Sequence, residues 1–258
     1  MRIVLLVFSP RDIHYLGTFD LDNIKVNALM LRATDYLEYD KILTLLTAER
    51  GKLTAGIKGV KKAGAKLKFA AQPFCFAEYV LAERGGRYTV IQASECESFY
   101  ELRTDVNKYY AACAVCEAAI ALTYEGDESE GIFSDCVQTL SDMCSGDEGL
   151  TLIGFLLSVL RKSGYGISLE GCSECGSHFA GEFKLRFDMD AGSFTCWDCG
   201  TGVGVSGVTY AALRAADGHA GGEVLPDGVK RGLRLLREYL TYKTDAKLNS
   251  LHEFINLL

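Results

Sequence analysis

The chain has 258 residues, 48% of them hydrophobic and 24% charged, which are the proportions of an ordinary folded protein with residues enough for a sizeable core in more than one module. Its formal charge of −7 argues against a surface that binds nucleic acid throughout. The apolar run Ile3 to Phe8 falls far short of the roughly 18 residues that span a bilayer and of an export signal, so ten cysteines point to the reducing cytoplasm, with no membrane contact expected.

From about Val26 to Glu95, short apolar runs are broken by turn signals. Ala28 to Leu31, Ile42 to Leu46, Leu53 to Ile57, Phe74 to Leu81 and Tyr88 to Ile91 read as strands, and Tyr39-Asp40, Arg50-Gly51, Gly64 and Gly85-Gly86 as the breaks between them. Five short strands in so few residues suit a small closed barrel of the OB type over residues 25–95. The positive charge is concentrated here. Arg50 to Lys68 holds one Arg and the six lysines Lys52, Lys58, Lys61, Lys62, Lys66 and Lys68 with no acid, and without that +7 the rest of the chain carries −14. Such a run is often only a solvated face. This one covers a strand and the loop after it, with Gly56, Gly59 and Gly64 allowing close backbone approach, which suits a phosphate-tracking groove.

The period then changes to that of helices. Ser98 followed by Glu101 is a capping-box pattern, and Phe99, Leu102, Val106, Tyr109, Cys113, Cys116 and Ile120 follow at spacings of 3 and 4, predicting one long amphipathic helix. Further helices are expected over Ile132 to Met143 and Leu150 to Lys162, the latter stopped by Gly164, to give an antiparallel bundle in residues 96–165. In residues 205–258 the pattern resumes at about Thr209 to Ala216, Asp227 to Tyr242 and Ala246 to Leu258. The second of these carries Lys230, Arg234 and Arg237 on a face apart from its core stripe, either as a solvated row or as a surface for an acidic partner.

Between the helical stretches, in residues 166–204, stand Cys172, Cys175, Cys196 and Cys199, spaced C-x2-C, twenty residues, C-x2-C. That spacing fits a four-thiolate tetrahedral zinc site, and with no ligand position left for water the ion is structural. Phe183 to Phe187 alternates like a ribbon strand between the two knuckles. Cys113 and Cys116 also form a C-x-x-C, but on a helix stripe, where they read as core; the other cysteines get the same reading. Gly202, Gly204 and Gly207 match G-x-G-x-x-G after a zinc knuckle rather than after a buried strand, so no dinucleotide site is expected. The four histidines are isolated and no hydrolase or nucleotide-binding motif occurs, so the chain reads as a non-enzyme.

Within Ala28 to Phe74, Leu31-Arg32, Tyr36, Glu38, Asp40-Lys41-Ile42, Leu45-Leu46-Thr47, Glu49, Gly51-Lys52, Lys58-Gly59, Lys61-Lys62 and Gln72-Pro73-Phe74 stand in order. The chain resembles the RecO family of bacterial DNA repair and recombination mediators through this run, the helical region, the zinc segment and Ser206 to Arg214. The resemblance implies an α+β chain: an N-terminal OB-fold barrel, then an α-helical domain with an inserted four-cysteine zinc module. It also implies binding of single- and double-stranded DNA, annealing of complementary strands, work with RecR and the acidic tail of the single-strand-binding protein SSB, and loading of RecA, with RecF a further indirect partner. Residues 1–24 precede the usual family start and read as an extension without assigned function. Ala65 stands where relatives often have serine, which puts a hydroxyl contact to phosphate in doubt.

On this reading Lys52, Lys58, Lys61, Lys62, Lys66 and Lys68, with Arg32 nearby, neutralise phosphates while exposed aromatics stack on bases. Lys230, Arg234 and Arg237 are the candidate surface for the SSB tail. Two alternatives stay open: an OB and zinc-ribbon adaptor without annealing activity, and a nucleic-acid-processing enzyme that uses the zinc module as a support.

Overall fold

Short apolar strands between turns build the N-terminal part of the molecule, residues 23–97. The computed structural model describes residues 23–127, 129–179, 184–219 and 224–258, so residues 1–22 of the expected extension and Phe183 of the expected ribbon strand lie outside the described residues. Strands β1 (Asn23–Tyr36), β2 (Asp40–Thr47), β3 (Gly51–Ile57), β4 (Phe76–Arg84) and β5 (Arg87–Glu97) close a barrel in the order β1-β2-β3-β5-β4. All pairs are antiparallel except β3 with β5, where Ala55 pairs with Tyr88 and Gly56 with Thr89. Val26, Ala28 and Met30 of β1 point inward with Leu43, Leu45, Leu53, Ala55, Ile57, Tyr79 and Leu81. The one large polar group among them is satisfied: the Tyr79 hydroxyl donates to the Ala70 carbonyl at 2.9 Å.

The apolar run in β1 is continuous because both faces of the strand are covered. Leu29 and Leu31, pointing out of the barrel, are buried with Leu46, Phe74 and Phe99 in the core of the helical part. Burying a leucine side chain is worth roughly 1.5–3 kcal/mol, so these outward residues fasten the barrel to the helices. Gly51, at the start of β3, sits at φ 64 with the Asp127 carbonyl where a Cβ would stand, so the β2–β3 turn can meet the loop after the first helix only with glycine there.

The helical part holds α1 (Val106–Leu122), α2 (Glu130–Ser145), α3 (Glu148–Lys162), α4 (Gly207–Ala216), α5 (Pro226–Thr244) and α6 (Asn249–Leu257). The expected start at Ser98 is corrected. The Glu97 carboxylate takes the Ser98 and Phe99 amides at 2.8 and 3.1 Å, Phe99 is left-handed at φ 45, and only a 3₁₀ turn follows at Tyr100–Arg103. The cap of α1 is Asp105, whose carboxylate accepts from Asn107 N and Lys108 N at 2.8 and 3.0 Å. Nor is α1 amphipathic in the way its spacing suggests: Ala111, Ala112, Ala114, Val115, Ala118 and Ala119 are buried as well, because α2, α3 and α6 all pack on it. Small residues let these neighbours approach closely. The expected stripe of Tyr109, Cys113 and Ile120 is instead the half-buried edge.

Between α3 and α4 lies a three-stranded sheet of β6 (Lys184–Asp188), β7 (Ser193–Cys196) and β8 (Val203–Ser206), ordered β7-β6-β8. Phe187 and Phe194 cover its inner face and meet Tyr239 of α5 and Tyr210 of α4 at ring-centroid distances of 5.3 and 5.0 Å. The small sheet is thus part of the same hydrophobic core. No helix among the described residues is long and apolar enough to cross a membrane.

Candidate nucleic-acid interface and metal centre

The barrel supplies a basic surface through the hairpin β1–β2 and the loop after β3. Asp40 accepts from the Gly59 amide at 2.7 Å and the Tyr39 carbonyl from the Lys61 amide at 3.0 Å, which ties the loop to the hairpin tip. Lys58, Lys62, Lys66 and Lys68 are exposed, with no ion pair among the described residues. The Lys62 ammonium lies 5.4 Å from the centre of the Tyr39 ring. At the tip, Tyr36, Leu37 and Tyr39 are 52%, 71% and 43% exposed, enough to offer flat apolar surface directly beside the cations. Leu37 is held at φ 53, a conformation uncommon for a branched residue.

The remaining expected contacts are arranged differently. Lys61 and Lys41 share the Asp35 carboxylate, at 2.9 and 3.2 Å, and hold its pKa below the usual carboxylate value. Lys52 turns away from the loop and donates to the Ile120 carbonyl near the end of α1 at 2.8 Å. Burial lowers its pKa, Glu125 draws it back up and Arg32 lowers it again. Arg32 is exposed on the outward face of β1, at the mouth of a cleft between barrel and helices.

The four sulfur atoms of Cys172, Cys175, Cys196 and Cys199 all lie within 4.8 Å of one another, and those of Cys175 and Cys196 are 3.8 Å apart. A tetrahedral ion with metal–sulfur bonds of ~2.3 Å needs sulfur–sulfur edges of about 3.8 Å, so the four thiols fit a single metal ion. Desolvation pushes the Cys172 thiol up, but the amides of Cys175, Cys196 and Glu174 outweigh it and bring it down to about 6. The Cys196 amide approaches that sulfur at 3.3 Å. Backbone donors aimed at sulfur favour the thiolate that binds metal.

A family model described as "Recombination protein O N terminal" matches residues 21–99, and one described as "Recombination protein O C terminal" matches residues 103–252. The chain belongs to the recombination protein O family. It is similar to the DNA repair protein RecO of Pelotomaculum thermopropionicum, 33% identical over 235 residues that cover 88% of this chain and 91% of that protein. It is also similar to the DNA repair protein RecO of Desulforamulus reducens, 34% identical over 69% of each chain. The same-named protein of Desulfitobacterium hafniense is 36% identical over 68% of this chain and 64% of its own length.

In this family member the α5 residues of the expected partner surface fall on one helix face but differ in exposure. Arg234 lines a shallow groove against β8 together with Arg231 and Glu238, whereas Lys230 and Arg237 lie on the half-buried edge of the helix. Reasoning from sequence missed Tyr36 and Tyr39 as site residues, although their place at a hairpin turn beside a glycine-rich basic loop is a readable signal. It also missed Lys41, which the β1–β2 hairpin places on the same cleft as Arg32, and Lys247, which only the packing of the barrel on the helices brings there.

Proposed function

We propose that this chain is a DNA-binding recombination mediator, cytoplasmic and associated with the nucleoid. Lys58, Lys61, Lys62, Lys66 and Lys68, with Lys52 and Arg32 at the margin, contact phosphates of single- and double-stranded DNA. Tyr36 and Tyr39 stack on bases. By screening two strands at once the surface anneals complementary DNA, and together with RecR it helps load RecA onto SSB-coated single strands, with RecF acting upstream. The acidic SSB tail docks on the α5 face that carries Lys230, Arg234 and Arg237. The observation that carries this reading is the pairing of four unpaired exposed lysines with exposed tyrosines on one hairpin-and-loop unit. Phosphate neutralisation and base stacking are the two terms that drive sequence-tolerant single-strand binding.

Zinc is the ion proposed for the four thiolates, one per chain, with a bracing and non-catalytic part. An all-thiolate site leaves no open position at which water could be activated. Barrel, two-part helical domain and zinc module are proposed as the working units, at residues 25–95, 96–165 with 205–258, and 166–204. The deciding experiment is annealing of complementary oligonucleotides by the purified protein, with and without SSB. Annealing faster than the spontaneous rate supports the proposal. DNA binding without acceleration would leave an adaptor, and magnesium-dependent cleavage abolished by a single carboxylate substitution would leave an enzyme.

A further inference from the structure

We infer that the cleft between the barrel and the helical part is a second stretch of the DNA site, which takes the backbone and one unstacked base of a single strand between Arg32 and Lys247. This rests on the proposed DNA-binding role and extends it to the helical domain. The cleft has a volume of about 560 Å³, within the range of roughly 300–1,000 Å³ typical of small-molecule sites. One wall is the outward face of β1 and the other is α1 with the start of α6.

Its chemistry has two parts. At the rim stand Arg32 from the barrel and Lys247 from the segment before α6, both exposed and both without an ion pair among the described residues. The one carboxylate in the lining, Glu117, is already engaged: it accepts from the Ser250 amide at 2.9 and 3.1 Å and from the Ser250 hydroxyl at 2.9 Å. The floor is apolar and partly aromatic, with Leu31, Phe74, Tyr109 and Ile120. The Phe74 and Tyr109 rings meet edge to face at 5.7 Å, and Phe74 is held at φ 66, a strained backbone of the sort retained at working sites. Two cations over an aromatic floor match an anion that carries a flat apolar group, which is the chemistry of a nucleotide.

Continuity favours DNA over an acidic peptide. Lys41 lines the cleft and also pairs with Asp35, which takes Lys61 from the basic loop. Arg32 and Tyr36 are four residues apart on β1, about 13 Å in an extended strand. A single strand leaving the tyrosines at the hairpin tip therefore reaches the cleft along one face of one strand. Lys52 adds positive charge behind this wall, bonded to the carbonyl of Ile120 in the lining.

The test uses the full chain and a fluorescent oligothymidylate, with binding followed by anisotropy over a salt series. Lys247→Ala removes one phosphate contact, so the log–log salt slope should flatten by about 0.7 and affinity at 0.1 M salt should fall about fivefold. Lys247→Glu should cost more. As a readout that does not depend on a variant's folding, an oligonucleotide bearing 5-iodouracil is photo-crosslinked to the unmodified protein, and adducts are expected on Tyr109, the half-buried ring of the floor. If loop-lysine variants weaken binding while both Lys247 variants leave the slope unchanged and adducts appear only on the hairpin, the inference falls and the loop reading stands. If the unmodified chain fails to bind the oligonucleotide, both fall. If a labelled acidic peptide binds in a Lys247-dependent way and oligothymidylate does not displace it, the cleft is a peptide site and the inference is overturned.

Discussion

Replacing Lys58, Lys62 and Lys66 together by alanine tests the loop most directly, because none of the three is engaged by an acid among the described residues. On a single strand each neutralised phosphate contributes about 0.7 to the log–log salt slope, so the triple variant should lose about 2 from it. At 0.1 M salt that corresponds to a loss of about two orders of magnitude in affinity, shrinking towards nothing as salt approaches 1 M. Anisotropy of a labelled oligothymidylate, titrated with protein at several salt concentrations, reads slope and affinity together. The structure also sets internal controls. Lys61→Ala alone should cost less, since Lys61 is shared with Asp35, and Lys52→Ala should lower stability more than affinity, since Lys52 caps the Ile120 carbonyl. A triple variant with an unchanged salt slope would refute the assignment of the loop, whatever its affinity.

Further outcomes follow from other parts of the molecule. The purified protein should contain one zinc ion per chain by elemental analysis, and Cys172→Ser or chelation should lower the melting temperature while the salt slope of DNA binding stays as it was. Tyr79→Phe should destabilise by about 1–3 kcal/mol in denaturant titrations, because the buried Ala70 carbonyl loses its donor. Reversing Lys230, Arg234 and Arg237 to glutamate should abolish pull-down by an acidic peptide ending in a free carboxylate, and an undiminished pull-down would remove α5 from that role.

What the sequence revealed and what it hid differ for physical reasons. The barrel strands were legible because short apolar runs and the turn residues between them are local, and β2 and β3 begin within two residues of their expected starts. The cysteine spacing was equally legible, since a tetrahedral site constrains loop geometry directly, and the four sulfurs do converge. The start of α1 was not: Ser98 and Glu101 have the right spacing, but Glu97 takes the Ser98 amide that Glu101 would need, and side-chain competition leaves no trace in a pattern of types. The Tyr109, Cys113 and Ile120 stripe was read as core because a helix lined with alanine shows no contrast between its faces. Which side of α1 stays half open depends on α6, more than a hundred residues later in the chain. The division of labour among the lysines was hidden for the same reason, as Asp35 and Ile120 are partners only in three dimensions.

The two-sided burial of β1 bears on how this chain loses its structure. Val26, Ala28 and Met30 belong to one core, and Leu29 and Leu31 on the same strand to the other, so neither core can open without disturbing a strand that the other needs. The two halves are expected to melt in a single cooperative transition rather than in sequence. An excised barrel would bare Leu29, Leu31 and Leu46 as an apolar stripe, and is expected to aggregate through it.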